Sequence, residues 1–300
     1  MAIMNTDRTA GITPEGYQLP AGQTICFDLH CHSLASDGAL APAAVARRAA
    51  ANGVKVWSLT DHDELRGLDE AETEAVALGL CFVNGVEISV TWAGHTVHIV
   101  GLAFDRRHPV LVQGLADIRR DRSERAERIG RRFAELGIEG TYEGALALAG
   151  NENLLSRTHF ARYLLQAGHV ENVQQAFDLY LQDGGPAQVP MKWATLEDAV
   201  SWIRAAGGVA VIAHPGRYRY TPVQFDGLFS TFRDLGGTAI EVVTGSHRPE
   251  QYAEYESVAR YYGFRASCGS DFHSTTESRA DLGSLPPLPA SLTPVWRDWF

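Results

Sequence analysis

The chain has 300 residues, 45% of them hydrophobic, and a formal net charge of −10. That is apolar material for one large domain or a domain with an insertion. So acidic a balance argues against a general polyphosphate binder, whose affinity rests on basic surface, and no run approaches the length of an apolar membrane span. Residues 1–23 are polar, lack the basic and apolar succession of a secretion signal, and read as a loose N-terminal leader. Thr24–Phe27 is β-branched and apolar, a strand that runs into Asp28-Leu29-His30-Cys31-His32-Ser33 and then Ser36-Asp37-Gly38. Pro42 opens a helix to Ala51, stopped by Asn52-Gly53. Val54–Leu59 is a short strand followed by Thr60-Asp61-His62-Asp63, and Leu65–Leu78 is helical. Cys81–Val90, which carries Gly85-Val86-Glu87-Ile88-Ser89, and His95–Phe104, which carries His98, are the next strands. The alternation then breaks. Residues 105–194 are mostly helical, opening with the Arg-rich Arg106–Arg132 and continuing near Thr141–Ala149, Arg157–Gln166 and Asn172–Gln182. From Thr195 it resumes: a helix to Ala206, strand Val209–Ala213 with His214-Pro215-Gly216, helix Pro222–Leu235, strand Thr238–Val243, helix Arg248–Tyr262 and strand Phe264–Cys268. That last strand ends in Ser270-Asp271-Phe272-His273, and the Pro-rich tail from Leu285 reads as an extended strap.

Seven strands, mostly separated by helices, predict an α/β fold in which a parallel sheet closes or nearly closes into a TIM-like barrel. Residues 24–104 and 195–300 would form the barrel domain and residues 105–194 a helical insertion that caps the substrate. In a parallel barrel the C-terminal strand ends meet at one rim. His30, His32 and Asp37 would arrive there from the first strand, His62 from the second, Glu87 from the third, His98 from the fourth, His214 from the fifth, and Asp271 and His273 from the last. His30 and His32 are two apart on an extended chain, so they aim at one point. Each residue has a plain alternative: Glu87 could cap a turn, His98 could be a hydrogen-bonded core histidine, Asp271 could begin a helix. Nine converging metal-competent side chains make those alternatives jointly weak. The other histidines, His95, His108, His159, His169 and His247, read mostly as loop or surface residues. The four cysteines show no zinc-ribbon or CxxC spacing and read as buried thiols of a reducing cytoplasm.

In order, Asp28-Leu29-His30-x-His32-Ser33, Thr60-Asp61-His62-Asp63, Gly85-Val86-Glu87-Ile88-Ser89, Ala213-His214-Pro215 and Ser270-Asp271-Phe272-His273 resemble the polymerase-and-histidinol-phosphatase (PHP) family of metal-dependent phosphoesterases. The resemblance covers residues 24–104 and 195–275. It implies a distorted seven-stranded barrel holding two to three divalent ions, usually manganese, with iron or zinc as alternatives. The insertion after the fourth strand resembles the branch of nucleoside 3′,5′-bisphosphate phosphatases and 5′→3′ exoribonucleases. One position departs: many family members carry histidine where this chain has Asp37. Following the family's pattern, His30, His32, Glu87 and Asp271 would hold one ion, Glu87, His98 and His214 a second, and Asp37, His62 and His273 a third. Glu87 would bridge, and Glu87, Asp271 and His214 are the residues expected to carry catalysis. Imidazole with carboxylate suits manganese, iron or zinc, and no thiolate set selects zinc outright. Ions about 3.5–4 Å apart can hold a hydroxide between them and clamp phosphate oxygens. Asp61 and Asp63 would orient His62.

For the substrate, Ser156-Arg157-Thr158-His159 stands before a helical run, an arrangement suited to a phosphate and equally to an ordinary N-cap. The resemblance favours phosphate, with Arg157 first and Thr158 and His159 beside it, and Arg217 could clamp the same or a second phosphate. Nine arginines in Arg106–Arg132, interleaved with acids, read as a solvated helix laced with ion pairs. The expected activity is hydrolysis of a phosphate monoester of a small nucleotide, foremost the 3′-phosphate of a nucleoside 3′,5′-bisphosphate. Alternatives are an exonuclease on short RNA or DNA, a histidinol-phosphate-type phosphatase, and a catalytically silent metal-binding module. No membrane partner is expected.

Overall fold

A computed structural model of the chain describes residues 11–20, 24–191 and 193–300. Its frame is one sheet of β1 (Ile12–Thr13), β2 (Phe27–Asp28), β3 (Val56–Leu59), β4 (Cys81–Trp92), β5 (His95–Leu102), β6 (Val209–Ile212), β7 (Ala239–Thr244) and β8 (Arg265–Gly269). Strands β2 to β8 follow one another in space, and β1 pairs with β4 off this path. The ends of the path meet. The Leu29 N–H donates to the Cys268 carbonyl at 3.1 Å, and beyond the strands Asp271 N–H reaches the His30 carbonyl and His32 N–H the Phe272 carbonyl, both at 2.8 Å. The sheet is therefore a nearly closed seven-stranded ring in which the short β2 is extended by these bonds.

The ring is not parallel throughout. β5 runs antiparallel to both β4 and β6, while the other neighbours around it are parallel. The reason lies in two residues. Only Ala93 and Gly94 separate β4 from β5, with φ of +46° and +82°, the geometry of a tight hairpin. A parallel return would need a crossover of a dozen or more residues. Reversing β5 turns the beginning of that strand towards the rim, so His98 arrives there from mid-strand.

Alternation along each strand sorts the residues into two layers. Facing outwards, Trp57, Phe82, Ile88, Ile99 and Ile240 pack with the helices α1 (Pro42–Ala51), α2 (Leu68–Ala77), α7 (Leu196–Ala205), α8 (Pro222–Asp234) and α9 (Pro249–Tyr262). Facing inwards, Leu29, Val56, Cys81, Val83, Val100, Leu102, Val211 and Ala239 fill the lower lumen and meet Ile12, Val295 and Trp299. Part of the predicted leader is thus built in through β1, while residues 1–10 and 21–23 lie outside the described residues. The tail straps the barrel as an extended segment: Val295 N–H donates to the Ala266 carbonyl at 2.8 Å, and Trp296 stacks on Phe27 at 3.8 Å between ring centroids.

Between β5 and β6 lie α3 (Pro109–Glu135), α4 (Thr141–Leu148), α5 (Arg157–Gln166) and α6 (Val173–Ala176), which runs on into a π-helical turn at Phe177–Leu181. They bury a core of their own around Phe133, Phe160, Leu164 and Leu181.

Candidate metal centre

Polar side chains gather in the upper lumen because hydrophobic positions give way to His, Asp and Glu where the strands end. The Nε2 atoms of His30 and His32 stand 3.2 Å apart. Gly269 makes room for them, since a Cβ there would lie 2.3 Å from that of His30. Glu87 projects from β4 with both oxygens ringed by imidazole. Its Oε1 is 3.0 Å from His98 Nδ1 and 2.9 Å from His214 Nε2. Its Oε2 is 2.9 Å from His62 Nδ1, 3.3 Å from His32 Nε2 and 3.4 Å from His30 Nε2. Asp271 Oδ1 lies 3.3 Å from His32 Nε2, and Asp37 Oδ1 lies 3.5 Å from His273 Nε2 and 3.9 Å from His62 Nε2. The structure thus brings all nine of the singled-out side chains into one cluster. Their donor atoms form four overlapping groups, His32–Asp37–His62–His273, His30–His32–Asp271, His30–Glu87–His214 and His62–Glu87–His98. His214 and Asp271 hold φ of +27° and +52°, a left-handed backbone that non-glycine residues adopt at a cost and that the surrounding fold must impose.

The electrostatics fit cations. Burial by itself would raise the carboxyls of Glu87, Asp37 and Asp271, but the surrounding imidazoles outweigh it and hold all three well below the usual carboxylate range. Burial pushes His32 and His214 down to about 3, so their rings are neutral and keep a lone pair. His62 rises to about 9 because Glu87 and Asp37 outweigh its burial, so a metal ion and a proton compete for that ring. One oxygen each of Glu87, Asp37 and Asp271, with nitrogens of His32, His62 and His214, is buried without a hydrogen-bond partner. Buried polar atoms are normally satisfied; the orphaned oxygens Glu87 Oε2, Asp37 Oδ1 and Asp271 Oδ1, which face the clustered imidazoles together with His62 Nδ1, are what a set of divalent ions would fill.

A supporting layer fixes these rings, and part of it escaped sequence reasoning. Glu241 on β7 is buried in the lumen, with its Oε1 2.8 Å from His30 Nδ1 while its Oε2 accepts the His214 backbone N–H at 2.6 Å. The available signal was its parity: a lone carboxylate in Ala239–Thr244 two residues from a lumen-facing alanine. Tyr218 accepts the His98 N–H and donates to the Ala213 carbonyl, both at 2.9 Å. Ser246 donates to Asp271. Asp61 and Asp63 are anchors of other parts rather than partners of the His62 ring. Asp61 accepts from Ser33 and Ser36 and so holds the turn that carries Asp37. Asp63 takes Arg122 through two nitrogens, at 2.8 and 2.5 Å, and the Ser89 N–H at 2.7 Å.

Beside the cluster opens a cavity of about 470 Å³ lined by His98 and His214 from the centre, Arg157, Phe177, Gln182 and Asp183 from the insertion, and Arg217, Tyr218, Arg219 and Tyr220. Arg157 donates to the Leu181 carbonyl at 3.0 Å and to Asp183 at 3.3 Å. Arg217 is half exposed and reaches Asp271 Oδ2 at 3.3 Å. Thr158 and His159 do not line this cavity. The Thr158 hydroxyl donates to Asp37 Oδ2 at 3.2 Å. His159 is buried, and its Nδ1 accepts the Ser156 N–H at 3.0 Å in a capping box, so the N-cap alternative describes its present contacts. His247, also expected near the surface, is buried and accepts the Gly216 N–H at 2.9 Å. The solvated reading of Arg106–Arg132 fails at two positions: Arg122 and Arg125 lie on the buried stripe of α3 with Leu115, Ile118 and Ile129. Their helical spacing from those residues was the missed signal.

Comparison with known proteins agrees with this geometry. Residues 28–189 match the model of the PHP domain. A 3′,5′-nucleoside bisphosphate phosphatase from Chromobacterium violaceum is 46% identical over 91% of this chain and 95% of its own length. A 5′-3′ exoribonuclease from Haemophilus influenzae is 42% identical over 90% of this chain and 97% of its own. A solved structure from Bifidobacterium adolescentis, described as a metal-dependent phosphoesterase, superposes with a TM-score of 0.77 at 25% identity, covering 91% of this chain and 94% of that one.

Proposed function

This chain belongs to the PHP domain family and is a metal-dependent phosphoesterase, and we propose that its substrate is a nucleoside 3′,5′-bisphosphate, from which it removes the 3′-phosphate. One observation carries the reading: a cluster of six histidines and three carboxylates opens directly onto a cavity lined by three arginines and by aromatic rings, in a chain 46% identical to a phosphatase of that name.

The donor set is nitrogen and carboxylate oxygen, which fits manganese, with iron or zinc as alternatives. His30, His32, Glu87 and Asp271 would hold one ion, Glu87, His98 and His214 a second, and Asp37, His62 and His273 a third. Divalent ions so placed supply Lewis-acid charge on the phosphate oxygens and lower the pKa of water. The chain's own residues do the rest. Glu241 fixes the His30 ring, Arg217 brings a guanidinium to the edge of the cluster, and Arg157 holds a phosphate further out. Phe177 and Tyr220 offer faces to a base. Four free cysteines, three of them buried, support a place in the cytoplasm.

The 42% identical exoribonuclease favours a second reading, the trimming of short RNA ends by the same centre. Manganese-loaded protein offered adenosine 3′,5′-bisphosphate, histidinol phosphate and 5′-phosphorylated oligonucleotides side by side separates them. Fastest turnover on the bisphosphate is expected. A kcat/KM at least tenfold higher on an oligonucleotide or on histidinol phosphate would displace this proposal.

A further inference from the structure

Helix α5 of the insertion reaches two of the three side chains assigned to the third ion. In its first turn the Thr158 hydroxyl donates to Asp37 Oδ2 at 3.2 Å, which leaves Oδ1 as the oxygen that faces His273 and His62. One turn further along, on the same side of the helix, Arg162 takes Glu277 through two nitrogens, at 2.9 and 2.6 Å. Glu277 belongs to the loop that follows His273. Its N–H donates to the Ser274 hydroxyl at 2.9 Å, and the neighbouring Ser278 hydroxyl accepts the His273 N–H at 2.7 Å and the Ser274 N–H at 3.1 Å. The loop so closed holds the His273 backbone. The ring then donates Nδ1–H to the Asp271 carbonyl at 2.9 Å, which keeps the lone pair on Nε2, 3.5 Å from Asp37 Oδ1. The remaining ligand, His62, is reached through its neighbour: Asp63, at φ +51°, accepts Arg122 on its carboxylate and Arg119 on its carbonyl, both from α3.

The other ligands are braced differently. Glu241 holds His30 and His214, Tyr218 holds His98, and Ser246 and Arg217 reach Asp271. All of these partners belong to the barrel, and among the described residues none of residues 105–194 bonds to His30, His98, His214, Glu87 or Asp271. The barrel does contribute to the turn of Asp37 through Asp61, but the carboxylate itself is set by Thr158. Arg162 and Glu277 are 15% and 25% exposed, so their pairing adds little to the stability of the whole fold. What a two-pronged guanidinium–carboxylate contact does supply is a fixed mutual geometry, here between α5 and the loop of His273.

We propose that α5 is the positioning element of the third ion: Thr158 sets the carboxylate of Asp37, the Arg162–Glu277 pair sets the loop of His273, and the insertion must be seated on the barrel for that ion to bind tightly. This rests on the three-ion assignment above and goes beyond it. Thr158 and Arg162 are positioning residues, since neither is a ligand; each acts through a group that is, or through the loop that bears one. Partners that orient a metal's ligands govern its affinity nearly as strongly as the ligands do. The insertion therefore does more than cover the cavity. It completes one metal site, and that ion is the first to leave when the insertion loosens, while the ions braced by the barrel stay.

The test titrates metal-free wild type, Thr158→Val, Thr158→Ser, Arg162→Gln, Glu277→Gln and the double variant of the last two with Mn²⁺ in a calorimeter. Bound metal is counted after graded dialysis, and the melting temperature of each metal-free protein is measured. Thr158→Val keeps the shape and loses the donor; it should weaken one binding step by roughly tenfold, the low end of the usual cost of a ligand's lost partner, and leave the other steps at wild-type affinity. Thr158→Ser keeps the hydroxyl and should restore most of that loss. Arg162→Gln and Glu277→Gln should each weaken the same step, with metal-free melting temperatures within about three degrees of wild type. The double variant should be no worse than either single one, because the two residues act as a unit. Equal weakening of every step, a Thr158→Ser as poor as Thr158→Val, or variants that all titrate like wild type would overturn the proposal. If Thr158→Val does not fold, the Arg162–Glu277 cycle decides, since additive losses or no loss refute the clamp. Wild-type protein that binds only two Mn²⁺ ions would instead refute the three-ion assignment, and the clamp with it.

Discussion

Glu241→Gln is the sharpest probe of how the metal centre is held. Glu241 keeps a 2.8 Å contact with His30 Nδ1 and accepts the His214 N–H at 2.6 Å, with no exposure to solvent worth the name. With Nδ1–H donating to the carboxylate, the His30 lone pair sits on Nε2, the atom 3.2 Å from its His32 counterpart. Glutamine has the same shape but only one acceptor oxygen. If that oxygen keeps the His214 N–H, the amide NH2 faces His30 Nδ1 and forces the other tautomer, which places a proton on Nε2 where a metal must bind. If the amide turns over, it confronts the His214 N–H and leaves a buried donor unsatisfied, at about 1–3 kcal/mol. Either way a charge-assisted hydrogen bond is lost. The expected loss of metal affinity is on the order of 10- to 100-fold, or about 1.4–2.7 kcal/mol at 1.36 kcal/mol per decade. Calorimetric titration of metal-free protein with Mn²⁺ reads this directly, and elemental analysis after graded dialysis against chelator reads it independently. Affinity and stoichiometry equal to wild type, in a variant with an unchanged metal-free melting temperature, would refute the reasoning.

Glu87→Gln should cost at least one ion per chain and nearly all turnover, because Glu87 faces five histidine nitrogens with two charged oxygens; an unchanged metal-to-protein ratio would contradict its role as the bridge. Asp37→Asn should weaken one ion selectively while the others survive dialysis, since Asp37 faces His62 and His273 only through Oδ1. Loss of every ion together, or of none, would mean the grouping is wrong. Arg122→Ala strands the fully buried Asp63 carboxylate and should destabilise the fold by about 3–5 kcal/mol, a fall in melting temperature of roughly ten degrees for a chain of this size. Adding Asp63→Asn should restore part of it, and a double variant no more stable than the single one would count against the pair.

What could be read from residues alone was what depends on local chemistry. Period-two spacing put His30 and His32 on one side of a strand, and a polar turn after each apolar run marked where His62, His214, Asp271 and His273 would stand. Those positions are set by side-chain alternation and by where the hydrophobic run stops, and both are written in order along the chain. Even the reversal of β5 was within reach, because two residues cannot carry a parallel crossover. Partnership across the fold was not. Glu241 meets His30 from 211 residues away, and Arg122 meets Asp63 from 59. His159 spends its Nδ1 on its own helix cap. Which buried charges are answered, as Asp63 answers Arg122, depends on how the insertion packs against the barrel. Burial makes every such pairing costly to miss, and only the closed three-dimensional arrangement determines who stands within hydrogen-bond reach of whom.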